Sequence, residues 1–224
     1  MNQYVGNELE LFASATNWKV YWRRQILPYF KGDILDIGAG AGATRSTFSE
    51  EEFSSWHAVE PDERYAAAIR YPKTIVTTGT LKDINGLFDT ILYIDVLEHI
   101  EDDRRELKQA CLHLRAGGHL VVLSPSHNYL FSPFDAAIGH YRRYNREMLA
   151  ALTPDNTSLI HTEYIDSVGM LLSLANRWLL QSSSPTKNQI QIWDKMVVPI
   201  SRLLDPLFGR KLGKSIIAVW QRSC

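Results

Sequence analysis

The period of apolar and polar positions changes repeatedly along the chain, and each change predicts an element. From Glu8 to Tyr29, Leu11, Phe12, Ala15, Trp18, Tyr21, Trp22 and Ile26 recur at spacings of mostly three or four, which predicts an amphipathic helix that Pro28 ends or kinks. Short apolar runs then predict strands at Ile34–Ile37, Ser55–Pro61, Thr74–Gly79, Phe88–Asp95 and His119–Pro125. Between them, a helix is predicted to start at Ala43–Phe48, and a second runs to Arg70 behind the capping residue Asp62. A third spans Asp102–Leu114, with Leu107, Ala110, Cys111 and Leu114 on one stripe and Gly117-Gly118 as its stop. The Phe88–Asp95 run is apolar on both faces, as a buried parallel strand is. Strands alternating with helices predict βαβ units in a parallel, doubly wound sheet.

Past Pro125 the pattern changes. Ser126–Tyr144 reads as a loop rich in aromatics, His and Arg, and Asn145–Leu152 as a helix. Ser158–Asp166 and Ser215–Arg222 read as the sixth and seventh strands. Between these two, Val168–Gly213 is mostly helical, with breaks at the serine-rich "SSSPTKN" and at Pro199 and Pro206. There is no internal repeat.

The stretch "ILDIGAGAGATRSTF" (Ile34–Phe48) carries three glycines, Gly38, Gly40 and Gly42, directly after a predicted buried strand. Glycines there allow positive φ and close approach of backbone to a ligand. A following helix start would add free N–H groups and partial positive charge. Glu60 ends the second strand, twenty residues after Gly40, where a carboxylate can accept hydrogen bonds from both hydroxyls of a ribose. Loop and acid together predict an adenosine-bearing cofactor but do not separate NAD from S-adenosylmethionine. An NAD-dependent dehydrogenase is disfavoured by the lack of an obvious Tyr-x-x-x-Lys pair.

The segments "DIGAGAG", "VEPD", "FDTILYIDVLEHI" and "LRAGGHLVVLSP" strongly resemble the motifs of class I S-adenosylmethionine-dependent methyltransferases, over about residues 32–125. "SPFDAAIGHYRRYNREML" extends the likeness, less specifically, to a bacterial subgroup of methyltransferase type 11/12 character, often associated with sugars or lipid-linked intermediates. The resemblance implies a Rossmann-like, doubly wound, mostly parallel seven-stranded sheet with an N-terminal helix and a helical insertion between the last two strands. The chain then reads as one domain: helical segment 1–31, cofactor half 32–125, substrate side 126–166, cap 167–213 and final strand 214–224. It implies S-adenosylmethionine as cofactor and S-adenosylhomocysteine as product. Asp36 would receive the methionyl amino group, Gly38, Ala39 and Gly40 would line the methionine and ribose, and Glu60, with Pro61 beside it, would hold the ribose hydroxyls. Thr80 and Leu81 would border the adenine, where many relatives carry an aspartate, and Asp95, Val96 and Leu97 would sit under the methionine near the methyl group.

The sulfonium is already an activated donor, so the chain must align a nucleophile, exclude water and, for a hydroxyl acceptor, take up a proton. Histidine suits that role near neutral pH. His140, His99 and His127 are the candidates, with His140 favoured for its place in "GHYRRY". Tyr129 and Tyr141 are expected around the acceptor. Arg142 and Arg143 would either bind an anionic acceptor group or pair with Glu147 or Asp135. No metal is assigned, although Asp95, Glu98 and His99 resemble the acidic-x-x-Glu-His arrangement of metal-using methyltransferases.

The cap carries Leu171, Leu172, Leu174, Trp178, Leu179, Leu180, Trp193, Met196, Val197 and Leu203 beside the basic residues Arg177, Lys187, Lys195, Arg202, Arg210, Lys211 and Lys214. It is expected to pack on the core, to cover the substrate, or to touch a membrane surface. Composition narrows the remaining classes. Net charge is −1, so no electrostatic case for nucleic acid arises. Cys111 and Cys224 form neither a disulfide framework nor a metal-spaced set. Met1–Glu10 is polar and acidic, unlike a signal peptide, and no apolar run is long enough to span a bilayer, so a cytoplasmic protein is expected. The expectation is a methyltransferase acting on the oxygen of a small or lipid- or sugar-linked acceptor. The alternative is a noncatalytic cofactor-binding or regulatory protein.

Overall fold

The computed structural model describes residue 12, residues 14–179 (backbone only from 176) and residues 186–224. Leu11, Leu180 and the side chains of Arg177, Trp178 and Leu179, named above, lie outside the described residues, as does much of the serine-rich break.

Seven strands form one sheet: β1 (Asp33–Ile37), β2 (Ser55–Glu60), β3 (Thr74–Thr78), β4 (Phe88–Ile94), β5 (Leu114–Pro125), β6 (Thr157–Ile165) and β7 (Ser215–Arg222). Their spatial order is β3-β2-β1-β4-β5-β7-β6. The first five are parallel, and β7 runs antiparallel to both β5 and β6. This is the Rossmann-like arrangement expected from the sequence. The buried strands carry apolar side chains on both faces. Leu35, Ile91, Tyr93, Leu120 and Trp220 enter one core layer, and Ile34, Trp56, Leu92, Val121 and Val219 enter the other.

Two local expectations are overturned. No α-helix opens at Ala43–Phe48; the segment is turns and a 3₁₀ turn at Arg45–Thr47. The cause is Arg45, which is buried and folds back so that its guanidinium donates to Phe48 O, Pro72 O and Thr74 Oγ1 while stacking on Phe53. Those contacts hold the chain in tight turns against the sheet edge. The other correction concerns Gly117-Gly118, which sits inside a strand and stops no helix. α3 (Asp103–Leu112) ends earlier, and β5 begins at Leu114 rather than His119, with its register shifting between Phe88 and Thr90. Gly117 has φ +72°, and a Cβ on Gly118 would meet two backbone oxygens at 2.9 and 3.0 Å, so both glycines serve the bulge.

The N-terminal helix α1 is Thr16–Ile26, followed by a 3₁₀ turn at Leu27–Tyr29 that contains Pro28. α2 (Glu63–Ala68) is capped by Asp62, whose Oδ1 accepts from Arg64 N at 2.9 Å. The region from Ser126 to Tyr144 is more than a loop, because it holds the short helix α4 (Pro133–Ala137), and α5 (Arg146–Ala151) follows.

The insertion between β6 and β7 is helical: α6 (Ser167–Leu179), α7 (Lys187–Ile192), a π-helical turn at Trp193–Val197 and α8 (Val198–Leu204). Two buried carboxylates tie it to the sheet and to α1. Asp194 accepts from Trp18 N at 2.8 Å and Asn17 N at 3.3 Å, supplying the cap that α1 lacks locally. Asp205 accepts from Tyr21 OH, Asp166 N and Ser167 N at 2.6, 2.7 and 3.0 Å. The carboxyl ends of the parallel strands thereby face a cleft roofed by α1, α4 and the insertion.

Candidate functional site

The cleft encloses about 2370 Å³. Ordinary small-molecule sites hold roughly 300–1,000 Å³, so there is room for a cofactor and a sizeable second ligand. Its two ends are built by different means.

At the β1–β2 end, backbone does most of the shaping. Gly38 and Ala39 donate their amides to Val59 O at 2.8 and 3.0 Å, which folds the glycine loop against β2. Gly38 adopts φ +67°, and a Cβ there would lie 2.6 Å from Val96 Cγ2. Glu60 is buried, with Oε2 accepting from Gly40 N at 2.8 Å and Oε1 from Asp62 N at 2.9 Å. Burial raises its pKa, opposed by those two amide bonds. Glu60 lines the cleft, and a carboxylate oxygen that accepts one amide bond keeps capacity for a second, as a ribose diol requires. Asp36 lies beneath, fully buried, with no hydrogen-bond partner at Oδ2. Burial, opposed by the Trp56 side chain as hydrogen-bond donor and reinforced by negative Glu60, pushes its carboxyl up to about 8. An unpaired buried carboxyl oxygen is costly unless something cationic or hydrogen-bonding meets it. Asp36 does not itself line the cleft, so it would meet the methionyl ammonium of S-adenosylmethionine through an intervening group such as water; with the glycine loop and Glu60, which do line it, the residues present fit that cofactor.

The other expected contacts divide. Pro61, Thr80, Leu81, Asp95 and Val96 line the cleft. Ala39 and Leu97 turn their side chains into the core and do not line the cleft. Thr80 is held by Asp83, whose Oδ2 accepts from Thr80 N at 2.8 Å. Asp95, at φ +54°, is the β4 end residue that the cleft floor presents. Its side chain is open to the cleft, yet the protein packed around it raises its carboxyl, tempered by His140 and Lys214.

At the opposite end, side chains do the shaping. His140 is held by Asp135, whose Oδ1 lies 3.0 Å from Nδ1. Asp135 also accepts from Arg143 Nε and Nη2, both at 3.0 Å, and from Ser132. Burial alone would raise the Asp135 carboxyl, but His140 and Arg143 hold it well below the usual range, so it stays ionised. His140 Nε2 faces Glu98 Oε1 at 3.9 Å, and Glu98 is fully buried with Oε2 accepting from Ser124 Oγ at 2.9 Å. Glu98 Oε1 has no hydrogen-bond partner, and burial raises that carboxyl well above the ordinary value. His99 packs edge-on to His140, ring centroids 4.5 Å apart, and bonds to the Gly139 backbone. Burial and His140 lower its pKa to about 4, so it is neutral at pH 7.

Glu98, His99 and His140 place one ligand atom each within 4.8 Å of one another. The second ring nitrogens are anchored, His140 to Asp135 and His99 to Gly139, as metal-binding imidazoles commonly are. Any metal donor set here therefore contains His140 in place of the Asp95 suggested by sequence.

Four expected site residues lie elsewhere. His127 is sandwiched between Tyr129 and Tyr164, at 4.9 and 4.7 Å, and does not line the cleft. Tyr129 and Tyr141 are half exposed outside it. Arg142 is committed to Asp103 Oδ2 at 2.5 Å and to Glu101 O at 2.8 Å. Arg143 reaches the cleft wall, but its guanidinium serves Asp135, the pairing left open by the sequence. Two contributors were missed. The sequence offers Asp135 only as a partner of Arg142 or Arg143, yet "SPFD" is a capping box, and the one-turn helix it starts delivers Asp135 to His140 five residues on. Lys214 was read only as a cap charge. It lines the cleft, with its ammonium 5.4 Å from the Trp193 ring, because its backbone is pinned between Asp166 O and Ser126 N at the strand ends.

Comparison with known proteins agrees with this architecture. The family model described as "Methyltransferase domain" matches residues 19–181. No curated protein matches the sequence. Among solved structures, the chain is similar to an S-adenosylmethionine-dependent methyltransferase from Archaeoglobus fulgidus, with 18% identity, 96% of this chain and 97% of that one covered, and a TM-score of 0.60. It is also similar to an S-adenosylmethionine-dependent methyltransferase from Clostridium acetobutylicum, at 12% identity, 94% and 93% coverage and a TM-score of 0.57. The plantazolicin methyltransferase BpumL, solved with S-adenosylhomocysteine, shares 13% identity over 96% of this chain and 85% of that one, with a TM-score of 0.56. With Glu60 at the glycine loop, the match over most of the chain places this protein in the methyltransferase domain family, as a class I S-adenosylmethionine-dependent enzyme.

Proposed function

We propose that the enzyme methylates a hydroxyl oxygen of a small molecule or of a lipid- or sugar-linked intermediate, with His140 as the general base. The observation that carries this reading is the buried Asp135–His140 pair, which fixes the imidazole with Nε2 directed away from Asp135 at the cleft wall. The cofactor, held by Asp36, the glycine loop and Glu60, supplies an activated methyl group on a sulfonium. His140 takes the acceptor's proton at Nε2 as the new C–O bond forms. Ionised Asp135 holds Nδ1–H and stabilises the imidazolium that results. His99, neutral at pH 7, packs against His140 and keeps its ring from turning. Leu172, Ile190 and Val197 of the insertion supply apolar cleft wall that keeps water from the reacting atoms. The cleft's volume suits an acceptor larger than a simple metabolite. No helix among the described residues is long and apolar enough to cross a membrane. The reading keeps the cytoplasm as compartment, which suits the free thiols of Cys111 and Cys224.

The test is incubation of the enzyme with methyl-labelled S-adenosylmethionine and separate aqueous and lipid extracts. Products are identified by mass spectrometry and by loss of a derivatisable hydroxyl. A product methylated only on nitrogen or carbon would refute the oxygen assignment.

A second reading rests on Glu98 Oε1, a buried acceptor without a partner that faces two anchored imidazoles. In it, Glu98, His99 and His140 hold a divalent transition ion that polarises the acceptor oxygen, and His140 is a ligand rather than a base. Dialysis against a chelator separates the two. Unchanged turnover with no metal recovered from the protein removes the second reading, and loss restored by one added metal removes the first.

A further inference from the structure

The outer face of the insertion carries a pattern that methyl transfer does not use. Ile192, Met196, Ile200, Leu203 and Leu207 follow one another at spacings of four, four, three and four. That spacing puts them on one side of the run from α7 through the π-helical turn and α8 into the turn beyond, where Phe208 N still donates to Leu204 O. They are not core. Met196 is 62%, Leu203 71% and Leu207 78% exposed, and Phe208 and Leu212 extend the exposed set. Scattered apolar side chains on a surface are ordinary, but a continuous stripe of this length marks an interaction site.

Charge on this segment is sorted by depth. Its two acids, Asp194 and Asp205, are buried and bonded inward. Every charged side chain left exposed between 187 and 212 is basic: Lys187, Lys195, Arg202 and Lys211. The chain as a whole is slightly acidic, so this is a local bias. At the cleft end of the stripe, Ile192 and Leu172 are both exposed and part of the cleft lining.

We propose that this face docks on an anionic lipid bilayer, with the stripe seated at the headgroup–acyl boundary and the basic residues among the phosphates. Exposed leucines and a phenylalanine, in a segment whose exposed charged side chains are all lysine or arginine, fit that surface. The bilayer accepts such side chains without the shape complementarity that a protein partner demands. Docking turns the cleft mouth at Leu172 and Ile192 toward the lipid, which on the acceptor reading above delivers a lipid-linked hydroxyl into the cleft.

The test is flotation of the full-length protein with vesicles of phosphatidylcholine alone and of phosphatidylcholine containing one part in three phosphatidylglycerol. The wild type floats with the anionic vesicles and stays down with the neutral ones, and raised salt weakens flotation. The double variant Leu203→Ser/Leu207→Ser and the triple variant Lys195→Glu/Arg202→Glu/Lys211→Glu each lose at least about tenfold in bound fraction. None of these five residues lines the cleft, so S-adenosylhomocysteine binding by calorimetry stays at the wild-type value and certifies the fold. A wild type that ignores anionic vesicles overturns the proposal, as do variants that float like it. So does a wild-type dimer that the serine variant converts to monomer without any vesicle binding, because the face is then a protein interface. Flotation with no labelled product in any extract would refute the acceptor reading and leave the docking intact.

Discussion

The two ends of the cleft are built in opposite ways. The cofactor end relies on where backbone runs: a positive-φ glycine against Val96, two loop amides on Val59 O, and one carboxylate bridging Gly40 N and Asp62 N. The opposite end, where we propose the acceptor sits, relies on side chains gathered from distant segments, with Glu98 after β4, Asp135 and His140 around α4, Arg143 before α5, and Lys214 at the start of β7. A backbone site tolerates change in most side chains but none in the few positions that set its path. A side-chain site loses function by degrees as each partner is removed. Graded substitutions at the two ends test that difference.

The largest effect is expected at Gly38. Valine there places a Cβ 2.6 Å from Val96 Cγ2 on backbone at φ +67°, which a β-branched residue resists. Gly38→Val should reduce S-adenosylhomocysteine binding to below detection by calorimetry, while circular dichroism shows the sheet retained. Binding within about threefold of wild type would show that the loop shifts freely and that backbone path does not define this end.

Next comes His140. Removing a general base typically costs about 10²–10⁴ in rate. His140→Ala should show that loss in single turnover once an acceptor is in hand, with S-adenosylhomocysteine affinity unchanged, since His140 makes no contact with Asp36, Glu60 or the glycine loop. A wild-type rate across pH would leave positioning alone as the source of catalysis.

Asp135→Asn should fall between wild type and His140→Ala. Loss of a group that orients an imidazole commonly costs about 10–100-fold. The same change strips the ionised partner from Arg143 and so lowers stability, because a buried guanidinium is left without its carboxylate. Equal losses in Asp135→Asn and His140→Ala would mean that the two act as one unit. No rate loss alongside lowered stability would make Asp135 a structural anchor only.

The same contrast explains what could be read from the sequence. β1, β2, β4 and the cofactor motif follow from local order: an apolar run, glycines every second residue, and an acid at the next strand end. The candidate site at that end is local too, and Gly38, Gly40 and Glu60 all line the cleft. Arg45 escaped because its burial depends on Phe53 and Thr74, which local pattern does not bring near it, and so a turn was read as a helix. Tyr129, Tyr141, Arg142 and His127 share with His140 the segment that follows the fifth strand. Adjacency in a loop says little about direction, and α4 with the Asp135 network turns His140 inward and leaves Tyr129, Tyr141 and Arg142 outside. Lys214 and Asp135 required the third dimension. The helical character of the insertion was legible from its period. That Asp194 and Asp205 point inward while Lys187, Lys195, Arg202 and Lys211 stay exposed was not.

The smallest effect is a pH dependence at the backbone end. The folded, cofactor-free chain holds a proton on Asp36 up to about pH 8, because burial disfavours the charge. The unfolded chain releases it near 3.9. Between those values the folded state binds one proton more than the unfolded state, so stability falls as pH rises through the window and the contribution is spent above about 8. From pH 6 to pH 8 this amounts to about 2 kcal/mol, or a few degrees of melting temperature for a chain of this size. Asparagine resembles the protonated carboxyl, so Asp36→Asn should melt close to wild type at pH 6 and above it at pH 8. That crossover is the signature to seek by scanning calorimetry, since other titrating groups shift both proteins alike. Saturating S-adenosylhomocysteine should flatten the wild-type slope, because a cation beside Asp36 favours its charged form, and should leave the asparagine variant's slope unaltered. If the two proteins keep a constant offset from pH 6 to pH 8, Asp36 is ionised in the free enzyme. The buried carboxylate then already has a counter-charge, and the ammonium site assigned to it is elsewhere.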